Sequence, residues 1–280
     1  MKKATIWLGL VLVLLGAGCQ KTTTTTTQNK NTNPVTVQNR NVTTNTTTNS
    51  SPSATMVNWD FNGTTWSASG TPPDCPDPLS IQSPVNVAAA TSILYPGQTR
   101  GGNYKAHGGF RFDTSNNSDI TVTVPMDARV VQGSRYIELG ETQYLFDLQS
   151  PCGLRFRFDH LLTLSPAFQA LAALLPTAQQ NNSRTTRFET PLSVKAGDVI
   201  ATAVGFGSTS NVSLDFGVYD LRQPNEASTR PVFQAAHGMF RETAYYGICW
   251  LELLPAADAA KVKALPAGDQ QLGKTSDYCE

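Results

Sequence analysis

Short runs of alternating apolar and polar residues recur from residue 107 onwards, and they constrain the fold of this chain more than any other feature. Side chains alternate between the two faces of a strand, so each run has one face suited to a core. The clearest runs are residues 107–113, 119–125, 154–158, 199–204 and 212–219. Strands this short and this closely spaced predict a mainly β domain.

Two stretches have a helical signature instead. Residues 165–175 begin with Ser-Pro and continue rich in Ala and Leu, which predicts a helix with a serine N-cap and proline in its first turn. The polar residues 179–187 that follow are expected to form a loop. A second, short helix is predicted at residues 256–264.

The first 19 residues have the anatomy of an export signal. Lys2 and Lys3 precede a short apolar run, which is followed by small residues and Cys19. The run is too short for a comfortable membrane span. This order resembles a bacterial lipobox, and the resemblance implies a signal peptide over residues 1–18, lipidation of Cys19 and anchoring at the extracytoplasmic face of the membrane. The alternatives are an uncleaved anchor and a plain secreted protein.

Residues 19–55 are almost entirely Thr, Asn, Gln and Ser. Such a low-complexity segment cannot bury enough apolar surface to offset the entropy of ordering it, so a disordered tether is predicted. A glycosylated stalk would provide the same spacing.

The charge balance argues against nucleic acid as a partner. The chain carries 21 basic and 21 acidic residues, and five of the basic ones lie in residues 1–55. Residues 56–280 therefore hold 16 basic against 21 acidic residues, and a mildly acidic globule lacks the basic surface that nucleic acid requires. About 225 residues are enough for one domain with a good core.

Four cysteines remain besides Cys19, and an exported chain favours structural disulfides. Four cysteines allow three pairings, and the sequence does not choose among them. One of these would join Cys75 to Cys152 and Cys249 to Cys279, tying the entry segment to the core and fastening the C-terminal tail.

Residues 107–113 (HGGFRFD) combine an apolar and a charged strand face. Phe110 and Phe112 share one face, which reads as core. His107, Arg111 and Asp113 share the other face. An imidazole, a guanidinium and a carboxylate gathered on one face suggest a site, although a hydrogen-bonded structural histidine is the plainer interpretation.

Several motifs in chain order strengthen the first interpretation. Residues 107–113 are followed by a Pro-x-x-x-x-Val turn, a Phe-x-His-Leu segment, a Val-x-x-Gly-Asp-Val segment and a Ser-Leu-Asp-Phe strand. These motifs lie at residues 125–131, 158–161, 194–205 and 212–216. Together they resemble the LytM/lysostaphin-type zinc endopeptidases that cut peptidoglycan cross-bridges. The resemblance covers residues 100–222 with an insertion at 165–190.

The resemblance implies a role for five positions. His107 matches the first zinc ligand of the family, and Arg111 stands where the family has a ligand aspartate. His160 matches the histidine that polarises water and holds the transition state. Ser213 replaces the histidine that acts as base, and Asp215 replaces the last ligand histidine.

These substitutions remove much of the metal chemistry. A catalytic zinc usually keeps three protein ligands, and Arg111 cannot serve as one because its guanidinium stays protonated and has no lone pair. Asp113 could in principle stand in as a ligand beside His107 and Asp215. The favoured interpretation is that Arg111 replaces the charge of the metal and pairs with Asp215 or Asp113, so no cofactor is expected. Zinc is expected only if the domain is active.

The resemblance also predicts an architecture. We expect an antiparallel hybrid-motif β-sheet or sandwich with one inserted helix and a short C-terminal helix. An irregular entry segment over residues 56–99 precedes this β domain, and an extension over residues 223–280 packs on it.

Three functions compete. The leading one is a degenerate, non-enzymatic domain on a surface lipoprotein that binds peptidoglycan or regulates a wall hydrolase. The second is an active metallopeptidase with His107, Asp113 and Asp215 as ligands and His160 as acid and base. The third is a structural or adhesion module.

Plainer interpretations apply to other polar and aromatic residues. His160 without the family would be a turn cap. Arg155 and Arg157 would usually form a solvated face, or alternatively a lip that meets acidic groups of the wall. The aromatic residues at 245, 246 and 250 are expected in the core rather than in a sugar-binding platform.

Overall fold

The computed structural model describes residues 57–279. The predictions for the N-terminus, namely the signal at 1–18, the lipid on Cys19 and the tether at 19–55, lie outside these residues. Among the described residues, no helix has the length and apolar character that crossing a membrane requires.

The described residues are mainly β, as predicted. The strands are β1 (Trp59–Phe61), β2 (Trp66–Ala68), β3 (Ser92–Leu94), β4 (Gln98–Arg100), β5 (Asn103–Lys105), β6 (Gly108–Arg111), β7 (Val122–Thr123), β8 (Ala128–Glu138), β9 (Glu141–Gln149), β10 (Leu154–Leu164), β11 (Gln179–Gln180), β12 (Thr186–Val194), β13 (Val199–Val204) and β14 (Ser213–Asp220).

The helices are few and short. They are α1 (Pro166–Ala172), α2 (Pro231–His237), α3 (Arg241–Ala244) and α4 (Ala256–Ala264). Single 3-10 turns cover Val87–Ala89, Asn117–Asp119, Glu226–Thr229, Gly238–Phe240 and Trp250–Glu252.

A ten-stranded sheet organises the domain. Its main path runs β11, β8, β9, β10, β14, β6 and β3, while β12 pairs with β8, and β13 links β10 to β7. Every pairing in this sheet is antiparallel except β11 with β8. The hairpins β1–β2 and β4–β5 stand outside it. Strands far apart in sequence, such as β6 and β14, are therefore neighbours.

The larger of two hydrophobic clusters formed by residues 57–279 lies on one face of this sheet. Phe110, Phe158 and Phe216 are fully buried there, as the alternation predicted, and Trp250 packs against Phe110 (4.8 Å between ring centroids) and Phe216 (5.2 Å). The aromatic residues at 245 and 246 are also buried, which confirms their assignment to the interior. Residues beyond 222 thus supply part of the core itself.

The helix predictions succeed in part. The C-terminal helix is confirmed at Ala256–Ala264. Helix α1 begins after Ser165 as predicted but ends at Ala172, and single turns carry the chain on to Pro176. Pro176 limits how far a helix could run, because the residue before a proline disfavours the helical region.

Three segments differ from the sequence prediction. Residues 179–187 were expected to be a loop, but β11 and the start of β12 lie there because both pair with β8. Residues 119–125 hold only the short β7, since the N–H groups of Thr123 and Val124 donate to Pro84 and Asp198 instead of a long partner strand. The segment 56–99 is not wholly irregular, because β3 joins the main sheet beside β6.

Two disulfides fasten the ends of the domain. Cys75 bonds to Cys152 and Cys249 bonds to Cys279, across sequence separations of 77 and 30 residues. The prediction of structural disulfides is confirmed, and the tertiary structure selects this pairing among the three. The tail before Cys279 also covers the free edge of β3, where the N–H of Ile93 donates to Pro266 (3.0 Å).

Candidate functional site

The strand pair β6–β14 brings His107 and Asp215 together. Asp215 lies across from Gly109 in the sheet register, and His107 directly precedes β6. The Nε2 atom of His107 lies 3.0 Å from Oδ2 of Asp215, and both side chains are almost buried. A side chain at Gly109 would place its Cβ 2.4 Å from the Leu214 carbonyl oxygen, so only glycine permits this close approach.

His160 reaches the same carboxylate from a bulge in β10. The pairing of β10 with β9 shifts register between Phe158 and Leu161, and His160 adopts a left-handed φ of 60°. Such a conformation costs a non-glycine residue on the order of 1 kcal/mol. The His160 N–H donates to Oδ1 of Asp159 (2.8 Å), and its Nε2 lies 3.7 Å from Oδ2 of Asp215. The bulge therefore aims the imidazole at Asp215.

The charges around Asp215 favour its ionised form. Burial by itself would raise the pKa of this carboxyl group, but His107, His160 and Arg100 outweigh burial and hold the pKa of Asp215 well below its usual range. Burial likewise would lower the pKa of His160, and the carboxylates of Asp159 and Asp215 outweigh it, so that the pKa is raised. One carboxylate is thus shared by two imidazoles.

Two residues that the sequence did not single out complete this cluster. Arg100 donates from Nη2 to the His107 carbonyl oxygen (3.1 Å). Tyr136 donates its hydroxyl to Oδ1 of Asp159 (2.6 Å), on the residue that holds the His160 bulge. No motif marks either one, because Arg100 lies in β4 and Tyr136 lies in the second half of β8, beyond the motif at residues 125–131.

Arg111 and Asp113 lie at the rim and bind each other. The Nη2 atom of Arg111 is 3.0 Å from Oδ1 of Asp113, and their side chains are 31% and 48% exposed. Thr91 donates its hydroxyl to Oδ2 of Asp113 (2.8 Å). The hydrogen bond from Thr91 and the charge of Arg111 lower the pKa of Asp113 despite some burial. Of the two partners predicted for Arg111, the structure selects Asp113 and leaves Asp215 to the histidines.

The residues present do not fit a zinc centre. Within residues 57–279, no group of three or more His, Cys, Asp or Glu side chains is placed to hold a metal ion. Arg111, which the resemblance matches to a ligand aspartate, has no lone pair to offer. Ser213, which the resemblance matches to a histidine base, is buried and lies across from Arg111 in the sheet. A hydroxyl there cannot replace an imidazole as a base near neutral pH.

Next to the cluster lies a polar strip, defined as Asp147, Arg155, Arg157 and Tyr219, on the same face of the sheet. Asp147 is fully buried and accepts from Nη2 of Arg155 (2.6 Å) and from Nε and Nη2 of Arg157 (both 2.8 Å). Burial opposes ionisation of Asp147, but the two guanidinium groups outweigh it and keep its pKa far below the usual range.

The expectation of a solvated arginine pair is therefore wrong. The side chain of Arg155 is 2% exposed and that of Arg157 is 19% exposed. Glu242 covers Arg155 from α3, with Oε1 2.8 Å from Nη1, and the guanidinium lies 5.5 Å from the ring centroid of Trp66. Trp66 in β2 and Glu242 in α3 both lie outside the motif residues. They bury a face of the sheet that the sequence analysis predicted to be solvated.

Comparisons with protein-family models, with curated proteins and with solved structures returned no match to this chain.

Proposed function

We propose that this chain is a surface-anchored lipoprotein whose β domain resembles LytM-type endopeptidases but binds the peptidoglycan wall without cutting it. The observation that carries the proposal is the separation of Arg111 from the cluster. Asp215 is shared by His107 and His160, while Arg111 turns to Asp113 at the rim. The polar groups of a peptidase groove thus persist on one face, and they are paired with one another rather than arranged around a metal.

The finer architecture belongs to the same proposal. The order of β6, β10, β13 and β14 along the chain matches the order of the family motifs, and β14 lies between β10 and β6 in the sheet. This arrangement supports a hybrid-motif fold with an insertion at residues 165–190. The N-terminal signal and lipid on Cys19 would hold the domain at the extracytoplasmic face of the bacterial membrane, close to the wall.

Zinc content provides the first test. The full chain, purified without chelators and analysed for metal, is expected to contain far less than one zinc per molecule. The triple variant Arg111→Asp, Ser213→His and Asp215→His restores the family residues and is expected to gain zinc. Equimolar, tightly held zinc in the unaltered chain would instead indicate a peptidase, and it would contradict the proposal.

Binding to purified sacculi provides the second test. The chain should sediment with sacculi without lowering the turbidity of the suspension. A His107→Gln, His160→Gln double variant should sediment less. Lys195→Gln serves as the control, because the ion pair of Lys195 with Asp127 is exposed and outside the cluster. If the chain stays in the supernatant, a structural or adhesion module with another partner becomes the better interpretation.

A further inference from the structure

A cavity of about 230 Å³ opens over the sheet where its strands are irregular. Residues 188–191 of β12 form a bulge that stands opposite Val131 of β8 alone. Val131 is itself an extra residue in the pairing of β8 with β9. Asn58 and Asp60, from the hairpin β1–β2, line another side of the cavity. Because bulges open a ladder and redirect side chains, this cavity is a product of the fold.

The floor of the cavity is a cross-strand pair, Arg129 of β8 and Gln149 of β9. The two residues are directly opposite in the register, and both line the cavity. Residues so paired project on one face of a sheet with their Cβ atoms about 5 Å apart, so these two side chains enter the cavity together. Gln149 also lies across from Arg155 of β10. The cavity is therefore on the same face as the polar strip and Asp215.

The amide of Gln149 is held by burial but is not enclosed. Gln149 is 7% exposed, and its side chain makes no hydrogen bond within residues 57–279. Neither amide atom belongs to the polar atoms that are sealed from solvent without a partner, so both the oxygen and the nitrogen can be reached from the cavity. Beside it, Arg129 donates only from Nη1, to Oδ1 of Asn58 (2.5 Å). The floor thus presents a fixed donor and acceptor to a ligand.

The charges around the cavity balance. Asp60 and Arg187 bind each other and join two of its walls, with Oδ1 2.7 Å from Nη1. Arg129 and the exposed Glu189 are the other two charges of the lining, and neither forms an ion pair in the described part of the chain. A charged ligand would lose at one of them what it gained at the other. A neutral ligand fits better if it both donates and accepts hydrogen bonds.

We propose that this cavity binds one N-acetylated sugar unit, which would belong to the glycan strand of the wall in the proposed function on which this inference rests. The Gln149 amide offers N–H and C=O side by side, and an acetamido group offers the C=O and N–H that pair with them. Arg129 as donor and Glu189 as acceptor suit hydroxyl groups, which a peptide backbone lacks. The volume is below the roughly 300–1,000 Å³ of sites for drug-sized ligands, which suits a single sugar unit.

Calorimetric titration of the full chain with three probes tests the ligand class. Chitotriose carries acetamido and hydroxyl groups, cellotriose carries only hydroxyl groups, and N-acetyl-tri-alanine amide carries only amide groups. Chitotriose should bind about tenfold more tightly than either comparison probe, since each of those loses hydrogen bonds on the cavity floor. The site is overturned if chitotriose does not bind, or if cellotriose or the peptide binds as tightly.

Gln149→Leu tests the floor because it removes an amide that binds nothing else in the described chain. The variant should keep its melting temperature and bind chitotriose about tenfold more weakly. Gln180→Leu is the matched control, because Gln180 is exposed in β11 and outside the cavity, and it should bind like the unaltered chain. Full binding by folded Gln149→Leu, or an equal loss in Gln180→Leu, would contradict the assignment.

NMR provides a measurement that needs no substitution. The side-chain amide signals of Gln149 should shift as chitotriose is added to the unaltered chain, and signals unmoved at saturation would overturn the site. The His107→Gln, His160→Gln double variant should bind chitotriose normally, because its cluster lies beyond Arg155 on the same face.

Failure of the cavity and failure of the proposed function give different results. A chain that sediments with sacculi but does not bind chitotriose keeps the proposed function and loses the sugar site. A chain that binds chitotriose through Gln149 yet stays in the supernatant keeps the sugar site and loses the proposed function.

Discussion

Two arginine–aspartate pairings on this sheet have the same chemistry and opposite settings. Asp147 is fully buried between Arg155 and Arg157, whereas Asp113 and Arg111 meet at the rim with about half and a third of their side chains exposed. Buried charges have lost their water and depend on protein partners (Gln132 also donates to Asp147, at 2.7 Å), while rim charges keep their hydration. The contrast indicates that the strip is required for the stability of the fold, whereas the exposed rim pair contributes little to it.

The largest effect is expected from Asp147→Ala. Removing this carboxylate leaves Arg157 without a carboxylate and Arg155 with Glu242 alone, which should lower the free energy of unfolding by about 3–5 kcal/mol. Urea unfolding at neutral pH measures the loss. A loss below about 1 kcal/mol would mean that water or relaxation compensates the arginines, and the distinction between strip and rim would fail.

Acid should destabilise the fold by protonating Asp147 in the polar strip. The pKa of Asp147 is lower in the folded chain than in the unfolded chain, so its stabilising contribution is complete above the unfolded value of about 3.9. That contribution is lost as pH falls through the folded pKa and is on the order of 2 kcal/mol. Unfolding free energies measured from pH 5 to 2 should fall less steeply in Asp147→Asn than in the unaltered chain. Parallel curves would show that another group controls acid unfolding.

Asp215→Asn should lie between the two extremes. The variant keeps the shape but removes the charge that His107 and His160 share, and a loss of about 1–2 kcal/mol is expected. The pKa of His160, followed by NMR, should also fall, because Asp215 is one of the carboxylates that raise it. An unchanged His160 titration would place Asp159 alone in that role.

The smallest effect is expected at the rim. Asp113→Asn should change the unfolding free energy by less than about 1 kcal/mol, and less still at high salt, since the pair with Arg111 is exposed. The same urea experiment applies. A loss comparable to that of Asp147→Ala would show that exposure does not separate the two sites.

The sequence predicted the β class and the core with some accuracy because burial on one sheet face leaves a period of two. Phe110 and Phe112 lie on the buried face of the HGGFRFD segment as that period requires. The C-terminal helix was also foreseeable. The strand at residues 186–194 was not, since Thr186–Val194 has few apolar residues and is a strand because it pairs with β8.

The site was predictable only where a motif existed. His107, His160 and Asp215 were singled out by their resemblance to a peptidase, and the structure brings all three together. Tyr136 and Arg100 carry no local pattern, and they matter only because β8 and the β4–β5 hairpin fold against the cluster.

By itself, the sequence determined which chemical groups are available and which are missing. No folded arrangement of the chain can make Arg111 a metal ligand, because a guanidinium group has no lone pair. Only the tertiary structure decided how the remaining charges are paired. It gave Asp113 to Arg111, Asp215 to the two histidines and Asp147 to Arg155 and Arg157. Pairing depends on which strands become neighbours and on how much water is left between them, and neither is a local property of the chain.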